Sequence, residues 1–223
     1  MTEPTLRADR VYRFYRAGDE ETLAVQGVSL ELVAGELVAL SGPSGSGKST
    51  LLSCLAGTDE PSGGTVWIAG ERMSGRSEGE RAAIRARRVG TMAQSGNLFA
   101  HLTVLGNLRL ARSMAPARDQ HDLPDPMALL ADLGIAARSH AWPDQLSGGE
   151  LVRASLAVAL ANGPAVLLAD EPTGELDEAT EARLLALLRR QADAGAAILV
   201  ASHSEVVTRS ADRILHLDDG RLS

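Results

Sequence analysis

A chain of 223 residues has the length of one α/β domain, or of one domain carrying a sizeable insertion. Hydrophobic residues make up 44% and aromatics only 3%, so a full core can form but it has to be aliphatic. The net charge is −7 with no basic tail or stripe, which speaks against sequence-independent nucleic-acid binding, since phosphate contacts need clustered Lys and Arg.

Cys54 is the only cysteine, so an internal disulfide is excluded. Its neighbours Leu52 and Leu55 predict a buried thiol in a reducing compartment. The start, Met1-Thr2-Glu3-Pro4, carries no basic-then-apolar signal segment. No run approaches the roughly 18 apolar residues needed to span a bilayer, so work at a membrane would require another chain as anchor.

In chain order, Leu6 to Tyr15 predicts a strand with polar interruptions, and Gly18-Asp19-Glu20-Glu21 a turn. Leu23 to Leu32, alternating through Val28, Leu30 and Leu32, predicts a second strand. Ala34-Gly35 turns into a strand from Glu36 to Ser41, followed by a glycine-rich stretch and a helix from Lys48 to Leu55 that stops at Gly57. Pro61-Ser62-Gly63-Gly64 is a loop and Thr65 to Ile68 a short strand before the Ala69-Gly70 turn. This opening section reads as antiparallel.

Glu78 to Arg88 predicts a helix whose arginines, Arg81, Arg85, Arg87 and Arg88, form a solvated face. Val89 to Gln94 is a buried strand. From Gly96 to about Leu146 there is no strand pattern; Leu102 to Arg112 and Pro126 to Leu133 are helical, joined by a polar, proline-interrupted loop from Pro116 to Pro126. This is a helical insertion. Gly149 to Leu160 is a helix, Ala165 to Ala169 a strand covered on both faces, and Glu178 to Ala194 a long helix with Asp177 as N-cap and Gly195 as stop. Ala197 to Ala201, a short helix Ser204 to Ser210, a strand Arg213 to Leu217 and the hairpin turn Asp218-Asp219-Gly220 complete the chain. Strands alternating with helices imply a parallel sheet.

Three stretches carry chemistry. Gly42-Pro43-Ser44-Gly45-Ser46-Gly47-Lys48-Ser49-Thr50 fits G-x-x-x-x-G-K-[ST] between a strand and a helix, the context a phosphate-binding loop needs. Its glycines let backbone N–H groups converge on a phosphate cluster, and the helix start adds bare N–H groups and its positive dipole end. Lys48 supplies a mobile charge for the outer phosphates, and the Ser49 hydroxyl suits magnesium. Asp170-Glu171 closes the strand Ala165 to Ala169; at the carboxyl end of a parallel strand it faces the phosphate loop. Asp170 is then a metal ligand and Glu171 the general base for water. Leu146-Ser147-Gly148-Gly149-Glu150 is a capping box opening a helix, and its glycine pair adds an anion site at the same helix end.

The phosphate loop at 42–50, the LSGGE stretch at 146–150, Asp170-Glu171 after an apolar strand and His203 after the next strand stand in the order of the ATP-binding-cassette ATPases, and the chain resembles that family over essentially its whole length. The resemblance implies an α/β P-loop core with a parallel sheet at 1–95 and 162–223, an N-terminal antiparallel β part, and a helical subdomain at about 96–161. It implies ATP and Mg2+ as ligands and a homodimer paired head to tail, with each ATP between the phosphate loop of one copy and Ser147-Gly148-Gly149 of the other. By pattern, Gln94 resembles the family's metal-touching glutamine and joins Ser49 and Asp170 in the metal set. His203 resembles the switch histidine at the γ-phosphate, and Asp177 the loop aspartate at the dimer interface. Tyr15 stands where an aromatic stacks on adenine, with Tyr12 and Phe14 as competitors. Glu150, after the two glycines, belongs to the nucleotide-facing stretch.

Within the family the motifs look like those of the subgroup serving lipoprotein-releasing, macrolide-exporting and cell-division permeases. Leu151-Val152 replaces the usual two glutamines, Met92-Ala93 precedes Gln94 where bulkier aromatics are common, Gly106 stands where the group has glutamate, and Glu175 replaces asparagine or alanine. The resemblance implies an ATP hydrolase on the inner face of the membrane, energising a separate transmembrane permease. The alternatives are a mechanical role on a membrane protein without transport, or a permease-free ATPase acting on DNA or the ribosome. The last fits poorly with one cassette and an acidic chain.

Overall fold

The computed structural model describes residues 3–17, 20–93, 97–116, 123, 125–174 and 176–223. Gln94 and Glu175 lie outside them, as does most of the 116–126 loop. Strands β1 (Leu6–Ala17), β2 (Glu20–Leu32), β4 (Gly63–Ile68) and β5 (Glu71–Arg72) form an antiparallel sheet in the order β2-β1-β4-β5. Glu20 and Glu21, expected in a turn, are in β2 instead and pair with Ala17 and Arg16. The ladder of the long hairpin overrides the turn preference of the acidic run.

A second sheet has the order β10-β9-β3-β8-β7-β6. β3 (Leu37–Ser41), β6 (Val89–Met92), β7 (Val166–Asp170), β8 (Ala197–Ala201) and β9 (Arg213–Asp218) run parallel, and the two-residue β10 (Arg221–Leu222) pairs antiparallel at the edge. The parallel expectation holds. Alternate residues of the central strands feed opposite faces, as the period of two dictates. Leu37, Ala39, Leu167, Ala169, Ile198 and Val200 enter one core, and Val38, Leu40, Val166, Leu168, Leu199 and Ala201 enter the other. The first core is completed by helices α3 (Val104–Ser113), α4 (Pro126–Asp132), α5 (Gly148–Ala159) and α6 (Glu178–Asp193). The second is completed by α1 (Lys48–Ala56), one face of the antiparallel sheet and Ile84 of α2 (Glu78–Arg88). Burial on both faces explains the near-continuous apolar runs, each buried Leu or Ile contributing roughly 1.5–3 kcal/mol.

Cys54 is fully buried in this second core, and burial pushes its thiol up to about 12. Of the α2 arginines, Arg88 keeps the expected exposure, while Arg81, Arg85 and Arg87 are half-buried. Arg81 pairs with Glu60 and Glu78, Arg85 with Glu78, and Arg87 and Arg88 with Glu71. Arg85 also donates to the carbonyl of Gly57 at 2.6 Å, tying α2 to the end of α1. Between β6 and β7 the described residues are helices, short 3-10 turns and connecting loops. Because β3, β6, β7 and β8 are parallel, the loops that leave them emerge at one end of the sheet.

Candidate active site

The loop from β3 to α1 needs glycine at two points. Gly42 has φ +148, and a Cβ there would come 2.0 Å from the carbonyl oxygen of Leu217; Gly47 has φ +100, and a Cβ would meet the Ala24 carbonyl oxygen at 2.2 Å. Gly47 is also the N-cap of α1 and offers no side chain, so the first N–H groups of the helix stay open toward the loop. Lys48, nearly buried, donates from Nζ to the carbonyls of Gly42 at 2.8 Å and Pro43 at 2.9 Å. Its ammonium is thereby held over the loop it belongs to.

Asp170 ends β7 and Glu171 follows it with φ +47, a left-handed conformation disfavoured for a side chain. The Glu171 N–H donates to the Ala201 carbonyl at 2.9 Å, which fixes that geometry against β8. His203 Nδ1 stands 3.0 Å from Glu171 Oε2. The pair is close but not aligned as a hydrogen bond, so that buried oxygen, like Asp170 Oδ1 and Ser46 Oγ, has no hydrogen-bond partner among the described residues. Buried oxygens without partners are costly unless a ligand meets them. A hard divalent cation suits the oxygen donors Asp170 and Ser49.

At the start of α5 the Ser147 side chain accepts from the Glu150 N–H at 3.4 Å, while Glu150 Oε2 accepts from the N–H and hydroxyl of Ser147 at 2.9 and 3.0 Å. This is the capping box read from the sequence. Arg138, which sequence reasoning missed, donates to Glu150 Oε1 at 2.8 Å. That bond first, then those from Ser147, hold the Glu150 carboxyl down at about 2. Both its oxygens are engaged within the chain. Asp177 caps α6 by accepting from the Thr180 N–H at 3.0 Å and hydroxyl at 2.8 Å, which also lowers its carboxyl below the usual range.

A cleft of about 870 Å³ collects most of these groups, a volume within the range of small-molecule sites. Gly42, Pro43, Ser44, Gly45, Gly47, Lys48, Ser49 and Thr50 form its floor, with Glu171 and His203 beside them. Gly148, Leu151, Val152 and Ser155, one stripe of α5, line a wall. Ser46, Asp170, Ser147, Gly149, Glu150 and Asp177 do not line it, and neither does Tyr15. The Tyr15 hydroxyl donates to Asp59 Oδ2 at 2.8 Å, and the Arg13 guanidinium sits 4.5 Å from its ring centroid while gripping both Asp59 oxygens. Tyr12 lies instead against Gly27 and Gly63. Leu151, Val152 and Met92, known from sequence only as departures from a pattern, turn out to line the cleft.

The profile of the ABC transporter family matches residues 25–174. The macrolide export ATP-binding/permease protein MacB of Hahella chejuensis is 36% identical over 222 residues, all of this chain but 34% of its own length. The chain thus spans about a third of the MacB relatives it matches. An ABC transporter ATP-binding protein of Methanocaldococcus jannaschii is 36% identical with 97% of each chain covered. A dimeric structure of the ABC transporter cassette MJ0796 superposes with a TM-score of 0.87 at 32% identity, covering 98% of this chain and 96% of that one. A second structure of that dimer, in a post-hydrolysis state with ADP and Pi, gives 0.88 at 31%. With the family profile over most of its length and these cassettes matching end to end, the chain belongs to the ABC transporter family as one of its ATP-binding cassettes.

Proposed function

We propose that the chain is the ATP-hydrolysing engine of a transporter, working as a pair of copies and energising a separate transmembrane permease from the inner face of the membrane. The observation that carries the reading is the meeting of Lys48, Ser49, Glu171 and His203 around one cleft at the carboxyl ends of parallel strands. The relatives add to it: MacB is an ATP-binding/permease protein, and the MJ0796 cassette is a dimer. No helix of the described residues is long and apolar enough to cross a membrane, so the permease is a separate polypeptide or a segment outside this sequence. The segment between β6 and β7 serves as the helical arm that carries Ser147-Gly148-Gly149 to a second copy.

In this reading the loop N–H groups and the open end of α1 cradle the phosphates, and Lys48 exchanges its bonds to Gly42 and Pro43 for the outer phosphate oxygens. Magnesium would be held by Ser49 and Asp170, with Gln94 as the third group, and supplies charge neutralisation on the phosphates. Glu171 accepts the proton of the attacking water. His203, beside that carboxylate, contacts the transferred phosphoryl group. Ser147 and the two glycines of the second copy complete the anion site, Asp177 lies at the interface, and Tyr15 offers its ring to the base. Substituting Glu171→Gln keeps size and hydrogen bonding but removes the base. Turnover should fall by about 10²–10⁴-fold while ATP binding persists and the dimer is trapped, read by phosphate release, nucleotide titration and light scattering. Wild-type turnover in that variant would defeat the assignment.

A further inference from the structure

The first turn of α6 contains a buried carboxylate that the reaction above does not use. Glu181 is 8% exposed, and its Oε1 accepts a 2.7 Å hydrogen bond from Ser204 Oγ. Ser204 directly follows His203 and is the N-cap of α7 (Glu205–Ser210). Its single hydroxyl is used twice, donating to Glu181 and accepting from the Val206 N–H at 3.2 Å. Its N–H donates to Ser202 Oγ at 3.1 Å. The loop that carries His203 is therefore fixed on its far side by α6, while the imidazole itself is 75% exposed and stands against Glu171 at 3.0 Å.

A serine N-cap needs no carboxylate behind it, and burying one is costly unless it is hydrogen-bonded. Stability of α7 alone therefore does not account for Glu181. Its place in the chain does. α6 starts at the Asp177 cap, and Thr180, one residue before Glu181, sits so close to the α5 start that a Cβ on Gly149 would come 2.8 Å from Thr180 Cγ2. One helical turn thus touches Gly149 on one side and the His203 loop on the other.

The geometry points to Glu181 as a positioning residue for His203: through Ser204 it sets where the imidazole stands relative to Glu171, and it ties that placement to the α6 turn packed on Gly149. This rests on the roles assigned above to Glu171 and His203. Such a residue acts on the chemical step and leaves nucleotide binding alone.

The test compares full-length variants at protein concentrations where turnover per molecule has levelled off. Glu181→Ala should lower kcat by about tenfold or more, as expected when a reacting group is displaced by a fraction of an ångström to an ångström. Affinity for a fluorescent ATP analogue should stay within about twofold, and Glu181→Gln, which keeps a carbonyl acceptor, should restore most of the rate. Ser204→Ala should lower kcat by the same route, and it carries the test if Glu181→Ala does not fold. Adding Ser204→Ala to Glu181→Ala should cost little more, because both remove one contact. Unchanged kcat in either single variant, or full additivity in the double, overturns the proposal. An active wild type with an indifferent Glu181→Ala overturns this proposal alone; a wild type without turnover overturns the underlying assignment and this one with it.

Discussion

The turn between β9 and β10 supports the phosphate loop, and a pair of glycine substitutions isolates that support. The Gly220 N–H donates to the Ser46 carbonyl at 2.9 Å, and the Gly220 carbonyl accepts from the Gln26 N–H at 2.7 Å. Gly220 has φ +73, and a Cβ there would meet the Ala24 carbonyl oxygen at 2.9 Å, Gln26 Cγ at 3.1 Å and the Ala24 carbonyl carbon at 3.2 Å. Gly70, in the turn between β4 and β5, has nearly the same φ, +76, with nothing within 4 Å. Gly70→Ala should therefore cost only the left-handed penalty, about 1–2 kcal/mol. Gly220→Ala adds overlap with a backbone that cannot swing aside, about 1–3 kcal/mol more, for a total of roughly 2–5 kcal/mol. The backbone moves to relieve it, and Ser46 moves with it. Loss of about 1.4 kcal/mol in loop preorganisation would appear as a tenfold weaker ATP affinity. Urea denaturation gives the first quantity and titration with a fluorescent ATP analogue the second. Equal destabilisation by the two substitutions, or wild-type ATP affinity in Gly220→Ala, would refute the claim that the hairpin seats the loop.

Two further outcomes follow from the electrostatics of the core and the α5 cap. Glu150 is held at about 2, down from 4.5, chiefly by Arg138. A depressed carboxyl contributes stability that is fully present above its unfolded value and lost as pH falls through its folded one. Arg138→Ala should therefore raise the Glu150 carboxyl and move the acid-unfolding transition, followed by circular dichroism, to higher pH; an unmoved transition and an unmoved Glu150 titration would sink the assignment. The Cys54 thiol, fully buried and pushed up to about 12, should resist a thiol-reactive reagent at pH 8 in the folded chain and react promptly in denaturant. Rapid reaction in the native state would contradict its burial.

What could be read from the sequence was what repeats or caps locally. β3, β7 and β8 are legible because both faces are covered, so nearly every position is apolar. The Ser147–Glu150 box and the Asp177 cap are legible because their partners lie three residues apart. The phosphate loop is legible because its geometry admits few residues at Gly42 and Gly47. The unread features join residues far apart in the chain. Arg138 with Glu150, Tyr15 with Asp59, and Glu181 with Ser204 leave no periodic trace. β5 was missed because two residues carry no pattern; it exists because Trp67 and Ile68 offer a ladder to Arg72 and Glu71. Gly63 and Gly64 read as loop, yet they open β4, where Gly63 pairs with Tyr12 of β1. Tertiary pairing outweighed local propensity there.

The cleft also bears on the proposed pairing of two copies. Of the three residues Ser147, Gly148 and Gly149, only Gly148 lines the cleft that holds Lys48 and Glu171 of the same chain. What α5 presents to its own phosphate loop is mostly its flank, Leu151, Val152 and Ser155, with Gly148 at the end of the stripe. The donors of α5 are at its N-terminus, where bare N–H groups and the dipole favour an anion along the helix axis. The Glu150 carboxylate is turned back on Ser147 and Arg138, which leaves that end free of a competing unpaired charge. Under the proposed pairing of copies, it is this N-terminus that a nucleotide held by a second molecule would meet. The same helix end packs against Thr180 of α6, next in the chain to Glu181, whose bond to Ser204 leads to His203.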